Sequence, residues 1–338
     1  MNTTIDDIDD ILRQKRESRA KARPPRKKMT WKRQLLRAGL IIGLGYVGII
    51  VLLMANETFL VYPGSKYPKG NWEPENFNYE EVQFNSKDGT KLYGWYLHRP
   101  VADQGDTEPN ESGEGTLTET DSQETGAFND GLTFLHCHGN AENIAEVGQY
   151  SGDRFRHTFN ADLFTFDYRG FGKSEGTPFE AGVLEDSEAA LQWLCRKTNK
   201  QPTDISLIGH SLGGGPAVHL AKKYGCRLII LQRTYSAISD AGQKQYPWLP
   251  VRMLMRNQFH SAEKIKDVSA PLFQSHGDAD TLIPIELGKQ VFDNSPATNK
   301  KFFAVKGMTH WDPLPQNYWA ELKTFVDSVD SVESGEGK

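Results

Sequence analysis

A chain of 338 residues with 38% hydrophobic side chains can bury the core of one large domain or two small ones, and its composition excludes a disordered or collagenous chain. The net charge of −5 is unevenly spread: residues 1–37 carry twelve Lys and Arg against five Asp and Glu, a surplus of seven, which leaves −12 on the remainder. Three cysteines, Cys137, Cys195 and Cys226, are too few for a disulfide framework and read as core fillers, with one optional pair.

Residues 38–55 contain no charge, and as a helix these eighteen residues span ~27 Å, close to the hydrocarbon thickness of a bilayer. Lys27, Lys28, Lys32, Arg33 and Arg37 precede them, which a buried core helix would not tolerate. The polar leader is too long for an ordinary signal peptide and no A-x-A cleavage site follows. The sequence therefore predicts an uncleaved transmembrane anchor. By the positive-inside rule, 1–37 is a basic cytoplasmic arm, and everything after 55 lies across the membrane in a periplasm or a secretory lumen. The arm has no aromatic interleaving beyond Trp31, so no nucleic-acid partner is expected.

Residues 56–78, rich in Pro, Gly, Tyr and Asn, read as a juxtamembrane connector. Asn56-Glu57-Thr58 and Asn110-Glu111-Ser112 fit the glycosylation pattern, which is common by chance. One domain is expected over 79–330. It opens with a β-hairpin, 81–84 and 92–97, around Lys87-Asp88-Gly89. Residues 101–131 then hold nine acidic residues and no basic one, and a segment so polar cannot offset its ordering entropy, so a disordered insert is predicted. Strands follow at 132–135, ending in His136-Cys137-His138-Gly139-Asn140-Ala141, and at 162–166, ending in Asp167-Tyr168-Arg169-Gly170-Phe171-Gly172. A helix over 179–198 shows Val183, Leu184, Leu191 and Leu194 on one face.

The strand 205–208 runs through Gly209-His210-Ser211-Leu212-Gly213 into a helix ending near 224. A strand at 228–231 follows, then 236–267 with Trp248, Met253, Met255 and Phe259. This small cap either packs over the sheet or shapes an acyl pocket. The rhythm resumes with a strand at 272–275, a helix at 286–293, a strand at 301–305, a helix at 315–329 and a tail at 331–338. Alternation at this spacing predicts an α/β fold, a mostly parallel twisted sheet of about eight strands with helices on both faces.

The pattern G-x-S-x-G between strand and helix forces a serine into a sharp turn that exposes its hydroxyl, and makes Ser211 the candidate nucleophile. A base and an acid should follow in the order Ser, acid, His. Of nine histidines only His310, just after the strand ending at 305, lies beyond every plausible acid. For the acid, Asp278 and Asp280 compete in one loop. Asp278 sits beside Gly277 as turn residues do, and Asp280, further along and before Leu282-Ile283-Pro284, is preferred. The oxyanion donors expected are the backbone amides of Asn140, chosen over Ala141, and Leu212. His136 and His138 share a strand face, but with no third ligand at a suitable spacing no metal site is expected. Gly213-Gly214-Gly215 lacks the sequel of a phosphate-binding loop.

Together, HGNA at His138, DYRGFGKSEG at Asp167, GHSLGG at Gly209, HGDAD at His276 and the late His310 resemble the α/β-hydrolase superfamily. With the preceding anchor and Tyr62-Pro63, the chain looks most like its single-pass membrane branch of monoglyceride and lysophosphatidylserine lipases, protein depalmitoylases and uncharacterised bacterial members. The resemblance implies a Ser211-Asp280-His310 triad, no cofactor, and a lipase-like serine esterase acting on a small-molecule or lipid acyl ester or thioester. The alternatives are a serine peptidase, disfavoured because no second large domain restricts peptide entry, and a silent membrane-tethered scaffold, disfavoured by the complete triad.

Overall fold

This computed structural model describes residues 5–21, 30–75, 77–100 and 131–335. The expected acidic insert, apart from Gly131, and the Lys27-Lys28 pair lie outside the described residues. The chain divides into two compact units, Met1–Leu53 and Met54–Lys338.

The first unit contains α1 (Ile5–Lys21) and most of α2 (Trp31–Ala55). α1 falls in the arm, for which the sequence predicts no element. α2 is longer than the predicted span because Trp31 to Arg37 includes neither Gly nor Pro, and Lys, Arg, Gln and Leu all favour helix. Among the described residues α2 is the one helix long and apolar enough to cross a membrane. None of its side chains is buried.

The second unit begins with α3 (Glu57–Val61), a short helix where the sequence reading expected only irregular connector. The hairpin β1 (Glu80–Asn85) and β2 (Lys91–Leu97) follows. β3 (Thr133–Cys137), α4 (Ile144–Val147), α5 (Asp153–Phe159) and β4 (Asp162–Phe166) form the first crossover. Next come α6 (Glu180–Thr198), β5 (Ser206–His210), α7 (Gly214–Tyr224) and β6 (Ile229–Gln232). The cap region holds α8 (Ile238–Gln245), α9 (Val251–Leu254) and α10 (Ser261–Lys264). β7 (Leu272–Gly277), α11 (Ile285–Asn294), β8 (Lys300–Val305) and α12 (Gln316–Gly335) complete it. α4 and α5, separated by a single π turn over Gly148–Gly152, had no counterpart in the sequence reading, since pieces this short show no full helical period.

The eight strands form one sheet in the order β1-β2-β4-β3-β5-β6-β7-β8, with β2 antiparallel to both of its neighbours, β1 and β4, and the remaining neighbours parallel. Alternation along each strand sends side chains to two cores. Leu135, Leu207, Ile229 and Leu231 meet Val183, Leu194, Val218 and Val291 of α6, α7 and α11 on one face. Phe134, Leu163, Ile208 and Ile230 meet Phe155 of α5 and Tyr318, Leu322 and Val326 of α12 on the other. Each such buried side chain contributes ~1.5–3 kcal/mol, which fixes the sheet as the rigid floor on which loops after the strands are mounted. Residues 62–72 lie on the domain: Ser65 O accepts from Gly172 N at 2.8 Å and Tyr67 N donates to Gly172 O at 3.0 Å.

Candidate active site

β5 ends at His210, and the 3-10 turn Ser211–Gly213 carries the chain into α7. Ser211 adopts φ +50°, a conformation that costs a side-chain-bearing residue ~1–3 kcal/mol and persists only where the surroundings enforce it. They do so through close packing. A Cβ on Gly213 would stand 1.9 Å from the carbonyl oxygen of Cys137, and one on Gly209 would stand 2.8 Å from that of Gly213. From the end of β6, Tyr235 donates its hydroxyl proton to Leu212 O at 2.8 Å. The turn therefore holds Ser211 Oγ 3.0 Å from His310 Nε2.

His310 follows β8, and its Nδ1 lies 2.7 Å from Asp280 Oδ2. Asp280, in the loop after β7, also accepts at Oδ1 from the amides of Leu282 and Ile283, at 3.0 and 2.8 Å. His276 Nε2 stands 3.3 Å from Asp280 Oδ2 and 2.7 Å from Ile283 O. Asp278 is exposed and accepts from Gly307 N at 2.5 Å. Of the two acids that the sequence left in competition, Asp280 is the one brought to His310.

Ser211, Asp280 and His310 are each about 95% buried. Burial raises the Asp280 carboxyl, but hydrogen bonds from His276, His310 and the Ile283 amide outweigh it and hold the group well below the usual carboxylate range. Burial lowers His310; Asp280 pulls it up, His210 and Arg233 push it down, and the balance remains below an ordinary histidine. A neutral imidazole between a carboxylate and a serine carries its proton on Nδ1 toward Asp280, leaving the Nε2 lone pair facing Ser211 Oγ. Such a relay can remove the serine proton as its oxygen attacks an electrophilic carbon.

The His138-Gly139-Asn140 turn abuts the serine turn: a Cβ on Gly139 would lie 3.3 Å from His210 Nδ1. Leu212, in the first turn, has no intrahelical acceptor for its amide. Asn140 is braced from the connector, its carbonyl accepting from Gly64 N at 3.1 Å and its Nδ2 donating to Val61 O at 3.3 Å. That bracing leaves the Asn140 backbone amide uncommitted to the connector. His138 is buried with Nδ1 2.7 Å from Gly139 O and Nε2 3.4 Å from Asp167 Oδ1. His136 shares its strand face with His138 and turns Nδ1 to Thr165 Oγ1 at 3.4 Å; burial lowers its pKa to about 3.

Four further residues have roles that the sequence does not signal. Glu142 accepts at Oε2 from Gly139 N at 2.7 Å and lies 3.2 Å from His210 Nδ1, tying the two turns together. Its only sequence signal is its place just after HGNA. Arg233, buried at the end of β6 with φ +52°, donates to the carbonyls of His310 and Asp312 at 2.7 and 2.5 Å. Nothing in the sequence distinguishes it from a surface cation. Glu57 and Asn257 join α3 to the cap loop through contacts between residues 200 apart in sequence.

An uncharacterized protein of Mycobacterium tuberculosis is 28% identical over 273 residues, covering 81% of this chain and 87% of its own. The mouse alpha/beta hydrolase domain-containing protein 17C is 30% identical over 198 residues, 57% of this chain and 59% of its own. Among solved structures, the esterase Pf2001 of Pyrococcus furiosus superposes with a TM-score of 0.58 at 17% identity, over 78% of this chain and 98% of its own, and so shares the fold. The profile of the family described as alpha/beta hydrolase fold matches residues 133–319, more than half of the chain and the stretch that carries Ser211, Asp280 and His310. The chain belongs to the α/β-hydrolase fold family.

Proposed function

We propose that this hydrolase is a membrane-anchored serine esterase that cleaves carboxylic ester or thioester acyl groups through an acyl-enzyme on Ser211. The observation that carries the reading is the relay from Ser211 Oγ to His310 Nε2 at 3.0 Å and from His310 Nδ1 to Asp280 at 2.7 Å, with the serine at φ +50°. Ser211 Oγ attacks the acyl carbon while His310 Nε2 takes its proton, and the carbonyl π electrons move onto oxygen. The amides of Leu212 and Asn140 stabilise that oxyanion. Collapse expels the alcohol or thiol, which receives the proton from His310. Water then attacks the acyl-enzyme with His310 again as base, releasing a carboxylic acid and restoring Ser211. Asp280 keeps its charge and fixes the imidazole tautomer throughout.

The anchoring part rests on α2, whose 38–55 stretch is uncharged and follows a basic arm. The arm is assigned to the cytoplasm and the domain to the far side by the positive-inside rule. A lipid-borne acyl ester is the substrate class that such placement concentrates at the site.

The test is hydrolysis of p-nitrophenyl esters from acetate to palmitate by the full chain in detergent, with Ser211→Ala beside it and a fluorophosphonate probe on both. Turnover and labelling by the wild type, with turnover at least ~10³-fold lower and labelling lost in the variant, support the reading. Equal turnover by both proteins would remove Ser211 as nucleophile. Absence of turnover and labelling in both would replace the enzyme by a tethered scaffold.

A further inference from the structure

A short helix on a water-facing surface turns its charge outward and its apolar side chains inward. α3 keeps Val61 inside but inverts the pattern at three positions. Glu57 is 5% exposed, whereas Phe59 is 77% and Leu60 57% exposed. The inversion is built in, because Glu57 Oε1 accepts from the amides of Arg256 and Asn257 at 2.8 and 2.9 Å and from Asn257 Nδ2 at 2.7 Å. Its Oε2 accepts from Arg256 Nε at 3.0 Å. Just past the other end of α3, Tyr62 donates to Asn257 Oδ1 at 2.9 Å. Five hydrogen bonds thus fasten an element that packs Val61 into the core and turns its two larger apolar side chains, Phe59 and Leu60, away from the protein.

The element it is fastened to repeats the pattern. Two residues before Arg256, α9 ends with Met253 86% exposed beside Arg252, which pairs with Asp240 at 2.6 Å. Arg256 itself is exposed, and its Nη2 donates to Met54 O at 3.2 Å. Only Asn56 separates α3 from α2. At no more than ~3.6 Å per residue, Phe59 lies within ~15 Å of the last residue of the uncharged run, within reach of a headgroup layer. Exposed Met, Phe and Leu beside arginines on long apolar stems are the side chains that such a layer accommodates, with apolar groups at the acyl boundary and guanidinium groups at lipid phosphates.

We infer that α3 and α9 are a bilayer-contacting surface, in which Phe59, Leu60 and Met253 enter the boundary between headgroups and acyl chains and Arg252 and Arg256 meet the phosphates. This rests on the anchoring reading above and deepens it, since the segment leaving α3 supplies Val61 O and Gly64 N to Asn140. The surface thereby adjoins the turn beside Ser211, and the substrate class it serves is an acyl ester drawn from the bilayer.

The test uses the full chain reconstituted in phosphatidylcholine vesicles. A Cys195→Ser background removes the one half-exposed thiol, and an environment-sensitive fluorophore is attached at Phe59→Cys, Leu60→Cys, Met253→Cys or, on α12 at the opposite face of the sheet, Asp327→Cys. Labels at 59, 60 and 253 should be quenched by doxyl-labelled lipid at least threefold more than the label at 327, and by aqueous iodide correspondingly less. Labels at 59 and 253 that iodide reaches as freely as 327, in a chain that withstands an alkaline carbonate wash, would overturn this surface and leave the anchor standing. Loss of the chain from the vesicles in that wash would overturn both. Protection from both quenchers would assign the surface to a protein partner and overturn the lipid.

Discussion

Arg233 Nη1 donates to the carbonyl oxygen of His310 at 2.7 Å, and the same guanidinium reaches Asp312 O at 2.5 Å, so a buried cation fixes the backbone on either side of Trp311. Truncating it leaves two carbonyls without their donor, at ~1–3 kcal/mol each. It also frees the loop that sets the position of His310 Nε2. Arg233→Met should lower unfolding stability by ~2–4 kcal/mol and kcat by ~10²-fold, with KM much less affected, as expected for a misplaced base. Urea unfolding and ester kinetics on the same preparation measure both. An unchanged kcat would show that His310 keeps its place without the clamp.

The two acids give a sharper contrast. Asp280→Asn retains the shape of the loop but loses the carboxylate that receives His310 Nδ1–H, and a drop of ~10⁴-fold in kcat is expected from the wrong tautomer. Asp278→Asn, at an exposed site where the carboxylate meets only Gly307 N among the described side-chain hydrogen bonds, should stay within a few-fold of wild type. The reversed order would move the acid to Asp278 and break the relay.

These residues also show how much the sequence disclosed. The succession of strands along the chain and the candidates Ser211 and His310 follow from signals within a few residues of each other, namely alternating apolar runs, Gly209 and Gly213 around the serine, and a histidine after the last strand. The hairpin, β4, α6 and α7 fall where periodicity placed them, within one or two residues. Arg233, Glu142 and Glu57 were illegible because each acts across the fold, on a partner 68 to 200 residues away. A buried charge with distant partners has the same local pattern as a solvated one. α4 and α5 were missed for a different reason: the π turn between them shifts the register of the apolar face before a second turn can display it.

The pH dependence of kcat/KM should have one acid limb, and it belongs to His310. The folded protein holds this histidine below its ordinary pKa, mainly by burial, so the neutral form persists somewhat below ~6.5 and activity falls only as pH drops further. Asp280 and Glu142 do not contribute to that limb, since both carboxyls are held well below the usual carboxylate range. The sign for stability is the same. A histidine depressed in the folded state binds its proton more readily when unfolded, so its contribution is present above ~6.5 and is lost as pH falls from there through the folded value. A kcat/KM profile from pH 4 to 9 measures this, and an apparent acid pKa above ~6.5 would contradict it.

Glu142 supplies the last case, because its carboxylate does two separable things. One oxygen accepts from the Gly139 amide at 2.7 Å and faces His210 Nδ1 at 3.2 Å, while the ring of His210 stacks on that of His310 with centroids 6.2 Å apart. Glu142→Gln keeps an oxygen for the Gly139 amide and removes the charge, whereas Glu142→Ala removes both. If the residue serves mainly to fix the Asn140 turn against the serine turn, Gln should retain kcat within ~10-fold and Ala should lose ~10²-fold, near the cost of losing one oxyanion donor. If its charge acts mainly on the two histidines, Gln and Ala should be equally impaired, and both should shift the acid limb downward, because an anion near an imidazole favours its protonated form. Measuring kcat and the acid limb for both variants separates the two roles, and the short bond to the Gly139 amide favours the first.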